Sequence, residues 1–189
     1  MLQKGLIPCI KKILLFVETE NMPQALNLFR KICLQSFEAI KLLITEDSFD
    51  IVIHLMKASD IRVRKEAVKN FFSLINLNDL KFIDSLDKRF HFAEKFVQIL
   101  STEENYEVIN EVINGLEHYL NFSKKHHQLN NVNYYIESSS YIKCNTFAVK
   151  LSDCNGLEVL KILLNKCTNS LTKNKIKKLI NELINKIDN

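Results

Sequence analysis

The feature that most constrains this chain is that it repeats itself. Ile7-Pro8-Cys9-Ile10, followed after two lysines by ILLF, returns 42 residues later as Phe49-Asp50-Ile51-Val52 followed by IHLM. A third version is Phe90-His91-Phe92-Ala93 followed by EKFVQIL. Each reads as a buried helix, and each leads through a polar turn into a longer amphipathic helix: Met22 to Leu34, Asp60 to Ile75 and Asn105 to Leu120. Ala25, Ala67 and Val112 occupy the same apolar slot in those helices, at steps of 42 and 45. Short apolar segments at 39–44 and 80–83 precede the second and third copies, so a full unit is two shorter helices and one long one. One such unit cannot bury its apolar face alone, and stacking on the next unit solves this.

The stretch Ser59 to Ile75 shows what the long helix does. Asp60 is placed to cap it, and Val63, Ala67, Val68, Phe71, Phe72 and Ile75 recur at mostly three- and four-residue steps, which requires a buried face. Arg62, Glu66, Lys69 and Ser73 advance by four, three and four, forming one polar line opposite it. A three-helix repeat of about 40 to 47 residues is the armadillo or HEAT signature. The expected fold is therefore all-α, an armadillo-repeat right-handed superhelix (α-solenoid) of about three to four repeats. A single domain over 1–189 is expected, with units 1–35, 36–77, 78–121 and 145–189. The polar, Asn- and Ser-rich stretch 122–144 has no sustained period and reads as a long loop. Ile176, Leu179, Ile180, Leu183, Ile184 and Ile187 form a final stripe whose polar face carries lysines, reading as a cap with one face packed and one wet.

Composition agrees. With 47% hydrophobic and 25% charged positions the chain can build a core, and three glycines and two prolines leave few tight turns, which favours helices over sheets. Five cysteines at 9, 33, 144, 154 and 167 are irregularly spaced. The opening MLQKGLIPCIKKILLFV is broken by Lys4, Lys11 and Lys12, which does not fit a secretory leader, so a reducing cytosol or nucleus is expected. No apolar run approaches the roughly 20 residues of a membrane span. From Lys161 onward seven lysines face two acids, giving this end +5 of a total of +4, but no Trp or other aromatic interleaves them. A solvated helix face is a better reading than a nucleic-acid contact.

Three stretches carry a family resemblance: 44–72 (ITEDSFDIVIHLMKASDIRVRKEAVKNFF), 111–120 (EVINGLEHYL) and 145–163 (NTFAVKLSDCNGLEVLKIL). In the last, Asn145, Phe147, Gly156, Leu157 and Glu158 stand in the order that opens the final repeat of importin alpha, and the chain resembles the C-terminal armadillo repeats of that family. The resemblance implies an adaptor in nuclear protein import, resident in cytoplasm and nucleus, whose long helices hold an extended peptide with a Trp and, four residues on, an Asn. The Trp slots fall on Asn27, Lys69 and Asn114, the Asn slots on Lys31, Ser73 and His118. With Glu66 of the R-K-E-A run and Glu111, these form the expected peptide-binding ridge. The implied partners are proteins: nuclear-localisation-signal cargo, the exportin that recycles importin alpha, and nuclear-pore proteins. Importin beta is not expected to bind this chain alone, because no basic segment precedes the repeats. A different reading is an armadillo scaffold without a transport role, its groove taking an acidic or neutral partner, which Lys31 and Lys69 favour.

Other chemistry finds no support. His126-His127 with Cys144 or Cys154 match no zinc spacing, so neither a metal nor another cofactor is expected. Glu103-Glu104 is a helix-start charge pair rather than an acid and base held in place, and Gly5, Gly115 and Gly156 are too isolated for a phosphate loop. Arg62, Arg64 and Lys65 beside Glu66 read as a solvated ridge. An enzyme is not expected. Phe71, Phe72, Phe92 and Phe96 read as core.

Overall fold

The computed structural model describes residues 5–35, 37–77, 80–133 and 146–187, and among them every regular element is helical. The chain divides into two compact units, Met1–Leu77 and Asn78–Asn189, where the repeat alone suggests one domain.

The first unit holds α1 (Leu6–Phe16), α2 (Met22–Gln35), α3 (Phe37–Thr45), α4 (Ser48–Leu55) and α5 (Ile61–Ser73), with 3-10 turns at Thr19–Asn21 and Leu74–Leu77. The second holds α6 (Leu80–Phe90), α7 (Phe92–Thr102), α8 (Tyr106–Asn133), α9 (Thr146–Asp153), α10 (Gly156–Lys166) and α11 (Ser170–Ile187). The long helices expected from the repeat are α2, α5 and α8, and α11 closes a fourth set. Ala25, Ala67 and Val112 all face the interior.

Two local devices recur and set the register. The first is a cap on each later long helix. Asp60 Oδ1 accepts the Arg62 N–H at 2.8 Å, Asn105 Oδ1 accepts those of Glu107 and Val108 at 2.9 and 3.3 Å, and Asn169 Oδ1 accepts that of Thr172 at 3.0 Å. Each satisfies an amide that the helix itself leaves unpaired. The second is a left-handed residue at the corner before each middle helix: Asp47 (φ 56°), His91 (φ 52°) and Asn155 (φ 60°). Asp, His and Asn are among the non-glycine residues that tolerate this region. The residue after each corner is buried: Ser48, Phe92 and Gly156. At Gly156 a Cβ would lie 2.5 Å from Leu151 Cγ and 2.7 Å from its carbonyl oxygen, so only glycine lets α9 and α10 meet this closely.

Each unit has its own core. In the first, Phe29 and Phe49 meet edge-on at 5.1 Å between centroids, as do Phe71 and Phe72, and Ile40, Leu43 and Val52 are buried as well. In the second, the Tyr119 ring lies 6.0 Å from Phe92, 5.5 Å from Phe96 and 4.2 Å from Phe147. The phenylalanines read as core are core. The Tyr119 hydroxyl donates to Asp87 Oδ1 at 3.1 Å, the same oxygen accepts the Phe92 N–H at 3.0 Å, and Asp87 Oδ2 pairs with Lys150 Nζ. A carboxylate only 4% exposed thus ties α6 to α7, α8 and α9. Burial, then the Asp87 charge, raises the Tyr119 pKa.

One expected boundary moves. Residues 122–133, read as the start of a loop, continue α8. The stretch 116–133 contains neither Pro nor Gly, so nothing in the sequence breaks the backbone ladder. Residues 134–144 of that loop, Asn145 of the resemblance and Cys144 lie outside the described residues.

Candidate functional site

The polar line of α5 is only partly a surface. Arg62 folds back onto its own cap, with Nη2 2.7 Å from Asp60 Oδ2, and this pairing holds the Asp60 carboxyl below its ordinary pKa. Arg64, the first residue of R-K-E-A, donates from Nη1 to the carbonyls of Ala58 at 2.8 Å and Ser59 at 2.9 Å, fastening the turn before the helix. Glu66 is the centre of the line: Oε1 accepts from Lys69 Nζ at 2.9 Å, and Oε2 lies 3.9 Å from Arg30 Nη2 on α2. Arg30 also donates to Asn27 Oδ1 at 3.1 Å, so Asn27, Arg30, Glu66 and Lys69 are one cluster. Lys31 is exposed on the next turn of α2.

Ser73 departs from the expected ridge. It is 7% exposed and its hydroxyl donates to the Asn70 carbonyl at 2.6 Å, because near the helix end the back-bond is within reach and the side chain turns inward. Asn70 and Arg30 are the residues that sequence reasoning passes over. Asn70 is fully buried, and its Nδ2 donates to the Leu26 carbonyl at 3.0 Å and the Glu66 carbonyl at 2.7 Å, tying α5 to α2. An amide inside the apolar arc of VKNFF was the available signal, since a buried amide must find partners.

The second unit builds its ridge differently. Asn114 is half-buried, Glu111 half-buried and His118 exposed, all on α8, as expected of one helix face. Yet α11 lies along them. Thr172 Oγ1 donates to Asn110 Oδ1 at 2.9 Å, Lys175 Nζ to Asn114 Oδ1 at 2.6 Å, and Lys178 Nζ to Glu117 Oε1 at 3.1 Å. Both series of numbers rise together, so α8 and α11 run parallel. The hydrogen bond to Glu117 raises the Lys178 pKa. The lysines read as a wet face are thus partly committed, Lys175 and Lys178 to α8, while Lys177 remains exposed.

Charge follows from these pairings. In the first unit Arg30 and Lys69 face the carboxylate of Glu66 and Lys31 is exposed, three cations to one carboxylate among these four residues. In the second, Lys175 and Lys178 balance Glu111 and Glu117. Glu66 Oε1, Asn114 and Glu117 are each engaged by one lysine, while Glu66 Oε2, 3.9 Å from Arg30, and Asn70 Oδ1 are buried without a hydrogen-bond partner.

Two clefts also open in the second unit. One of about 390 Å³ is lined by Asp87, Lys88, His91, Glu94, Lys150 and Cys154, and one of about 410 Å³ lies beside Leu100, Glu103, Tyr106, Ile162 and Lys166. In the first, burial raises the Cys154 thiol pKa, with Glu94 adding to it. Among the described residues no three of His, Cys, Asp and Glu converge to hold a metal, and no helix is long and apolar enough to cross a membrane.

No family model matches the sequence, and no curated protein matches it. Solved structures do resemble the fold. A computationally designed armadillo repeat protein for modular peptide recognition aligns with 94% of this chain at 16% identity and a TM-score of 0.67. This chain covers 64% of that design's length. A designed armadillo repeat protein in complex with the peptide (KR)4 aligns with 95% of this chain, and 82% of its own, at 17% identity and a TM-score of 0.53. A further designed armadillo repeat protein aligns with 94% of this chain, and 99% of its own, at 12% identity and a TM-score of 0.50. The likeness is one of fold: the chain is all-α, and its three-helix units are armadillo repeats.

Proposed function

We propose that this protein is an armadillo-type interaction scaffold that binds rather than catalyses, its first-unit ridge taking an extended acidic segment of a partner protein. The observation that carries the reading is that Glu66 already faces two cations of its own chain, Lys69 at 2.9 Å and Arg30 at 3.9 Å, while Lys31 stands exposed. One structural neighbour holds the basic peptide (KR)4. Here a basic peptide would compete with Lys69 and Arg30 for Glu66, whereas an acidic one meets the exposed Lys31 directly. Isothermal titration with a Glu/Asp-rich peptide and with a Lys/Arg-rich peptide of equal length tests this. Saturable binding of the acidic peptide alone, weakening with salt, is expected; saturable binding of the basic peptide alone overturns the reading.

The second reading is the nuclear-import adaptor, supported by the R-K-E-A run at Arg64 to Ala67 and by the Phe147, Gly156, Leu157, Glu158 order. On this reading the protein moves between cytoplasm and nucleus, and its partners are signal-bearing cargo, the recycling exportin or nuclear-pore proteins. Proximity labelling in cells separates the two: recovery of transport receptors and pore proteins supports the adaptor, and their absence alongside other partners supports the scaffold.

A further inference from the structure

Within the second unit α7 and α10 are the same helix of successive repeats, and their registers match without a shift. The corners His91 and Asn155 stand 64 residues apart, and so do the caps Asn105 and Asn169. At two matched positions the chemistry changes: Lys95 and Gln98 of α7 become Val159 and Ile162 of α10, and Ile162 is left 47% exposed. Both apolar residues line the cleft of about 410 Å³ between the end of α7, the start of α8 and α10. Leu100, Ile109 and Leu163, all buried, complete its apolar floor. The rim is polar and carries opposite charges at two corners. Glu103 and Glu104 stand at the α7–α8 corner, and exposed Lys166 ends α10. Glu103 Oε1 accepts the amides of Glu104 and Asn105 at 3.1 and 2.9 Å, which leaves exposed Glu104 to present a carboxylate outward. The Tyr106 hydroxyl, 3.5 Å from the Lys166 carbonyl and from Thr168 Oγ1, sets the two corners side by side. Every wall of the cleft belongs to this one unit, with a repeat on either side.

We propose that this cleft docks a short segment of a partner protein in which one bulky aliphatic or aromatic side chain stands between a basic and an acidic residue. Its volume falls in the range of clefts that hold ligands, about 300 to 1,000 Å³. An apolar floor under a charged rim anchors one side chain by burial and orients it through its neighbours. Charge complementarity fixes those neighbours: the basic residue meets Glu104 and the acidic one meets Lys166, so the segment lies in one direction only. The site shares no residue with the first-unit ridge and differs from it in chemistry. A peptide that is only acidic or only basic lacks the side chain that fills the floor.

Amide chemical shifts of the 15N-labelled full chain, titrated with end-blocked pentapeptides, test the proposal. The sequence Gly-Arg-Phe-Glu-Gly is expected to give saturable shifts within 100–106 and 159–167, and Gly-Arg-Gly-Glu-Gly none. Ile162→Gln gives α10 the residue that α7 carries at the matched position, and is expected to abolish saturation while leaving the far-UV spectrum and thermal midpoint unchanged. Glu104→Gln is expected to weaken binding at least threefold. No saturable shift up to about ten millimolar peptide overturns the proposal, as does equal affinity for Ile162→Gln and wild type. Shifts at the same amides that grow with protein concentration, without peptide, make a second copy the occupant and overturn it too.

Discussion

Replacing Asp87 by alanine is expected to be the most damaging single polar substitution in the second unit. The carboxylate is 4% exposed and serves three donors on three helices: the Phe92 N–H, the Tyr119 hydroxyl and Lys150 Nζ. Removing one partner of a buried pair costs about 3 to 5 kcal/mol, because the other is left without compensation. Lys150 is 40% exposed, so water recovers part of its share. The Tyr119 hydroxyl and the Phe92 amide have no such recourse, and an unpaired buried group of this kind costs about 1 to 3 kcal/mol. The expected loss is therefore at the lower end, about 3 kcal/mol. Tyr119→Phe removes one donor and leaves the other two in place, so about 1.5 kcal/mol is expected. Urea unfolding followed by far-UV circular dichroism measures both, as a shift in midpoint at constant slope. A loss below about 1 kcal/mol for Asp87→Ala would refute the reasoning, since that is an ordinary surface-level effect.

Three other outcomes follow from the same structure. Gly156→Ala drives a methyl against the Leu151 side chain and its carbonyl, and since the carbonyl cannot rotate away, a loss of about 1 to 3 kcal/mol in urea unfolding is expected; a neutral result contradicts the close approach of α9 and α10. Among the described cysteines, alkylation by iodoacetamide at neutral pH, read by mass spectrometry, should modify exposed Cys9 first and Cys33 last, because burial raises the Cys33 thiol to about 12. Asp60→Asn keeps the cap acceptor but loses the Arg62 pairing. The folded-state pKa of Asp60 is depressed, so its contribution is present above the ordinary carboxyl value of about 3.9 and fades as the pH falls through the depressed one. Wild type should therefore lose its advantage over the variant in acid, and a constant difference from neutral pH downward refutes this.

Much of the architecture was legible because it is periodic. The long helices announce themselves through Ala25, Ala67 and Val112, and Asp60 caps the helix it was expected to cap. The corners were harder: Asp47, His91 and Asn155 take the left-handed region without being glycines, so a search for Gly and Pro passes over them, although their spacing tracks that of the caps. The ridge was legible as a line but not as a surface. Which cation meets Glu66 depends on Arg30, on a helix a repeat away, and which acceptor meets Lys175 depends on Asn114, 61 residues distant. Period alone carries no information about such pairs. Ser73 was misplaced because a wheel projection ignores the back-bond available to a serine near a helix end.

The central claim is that the first-unit ridge is a cationic surface whose carboxylate Glu66 already faces Lys69 and Arg30. The most direct measurement is the affinity of a Glu/Asp-rich peptide for wild type and for the Lys31→Glu, Lys69→Glu double variant, with a Lys/Arg-rich peptide titrated against both. The account predicts that the double variant loses at least tenfold in affinity for the acidic peptide and gains measurable affinity for the basic one. Equal affinity of wild type and variant for the acidic peptide, or tighter binding of the basic peptide to wild type, would contradict it.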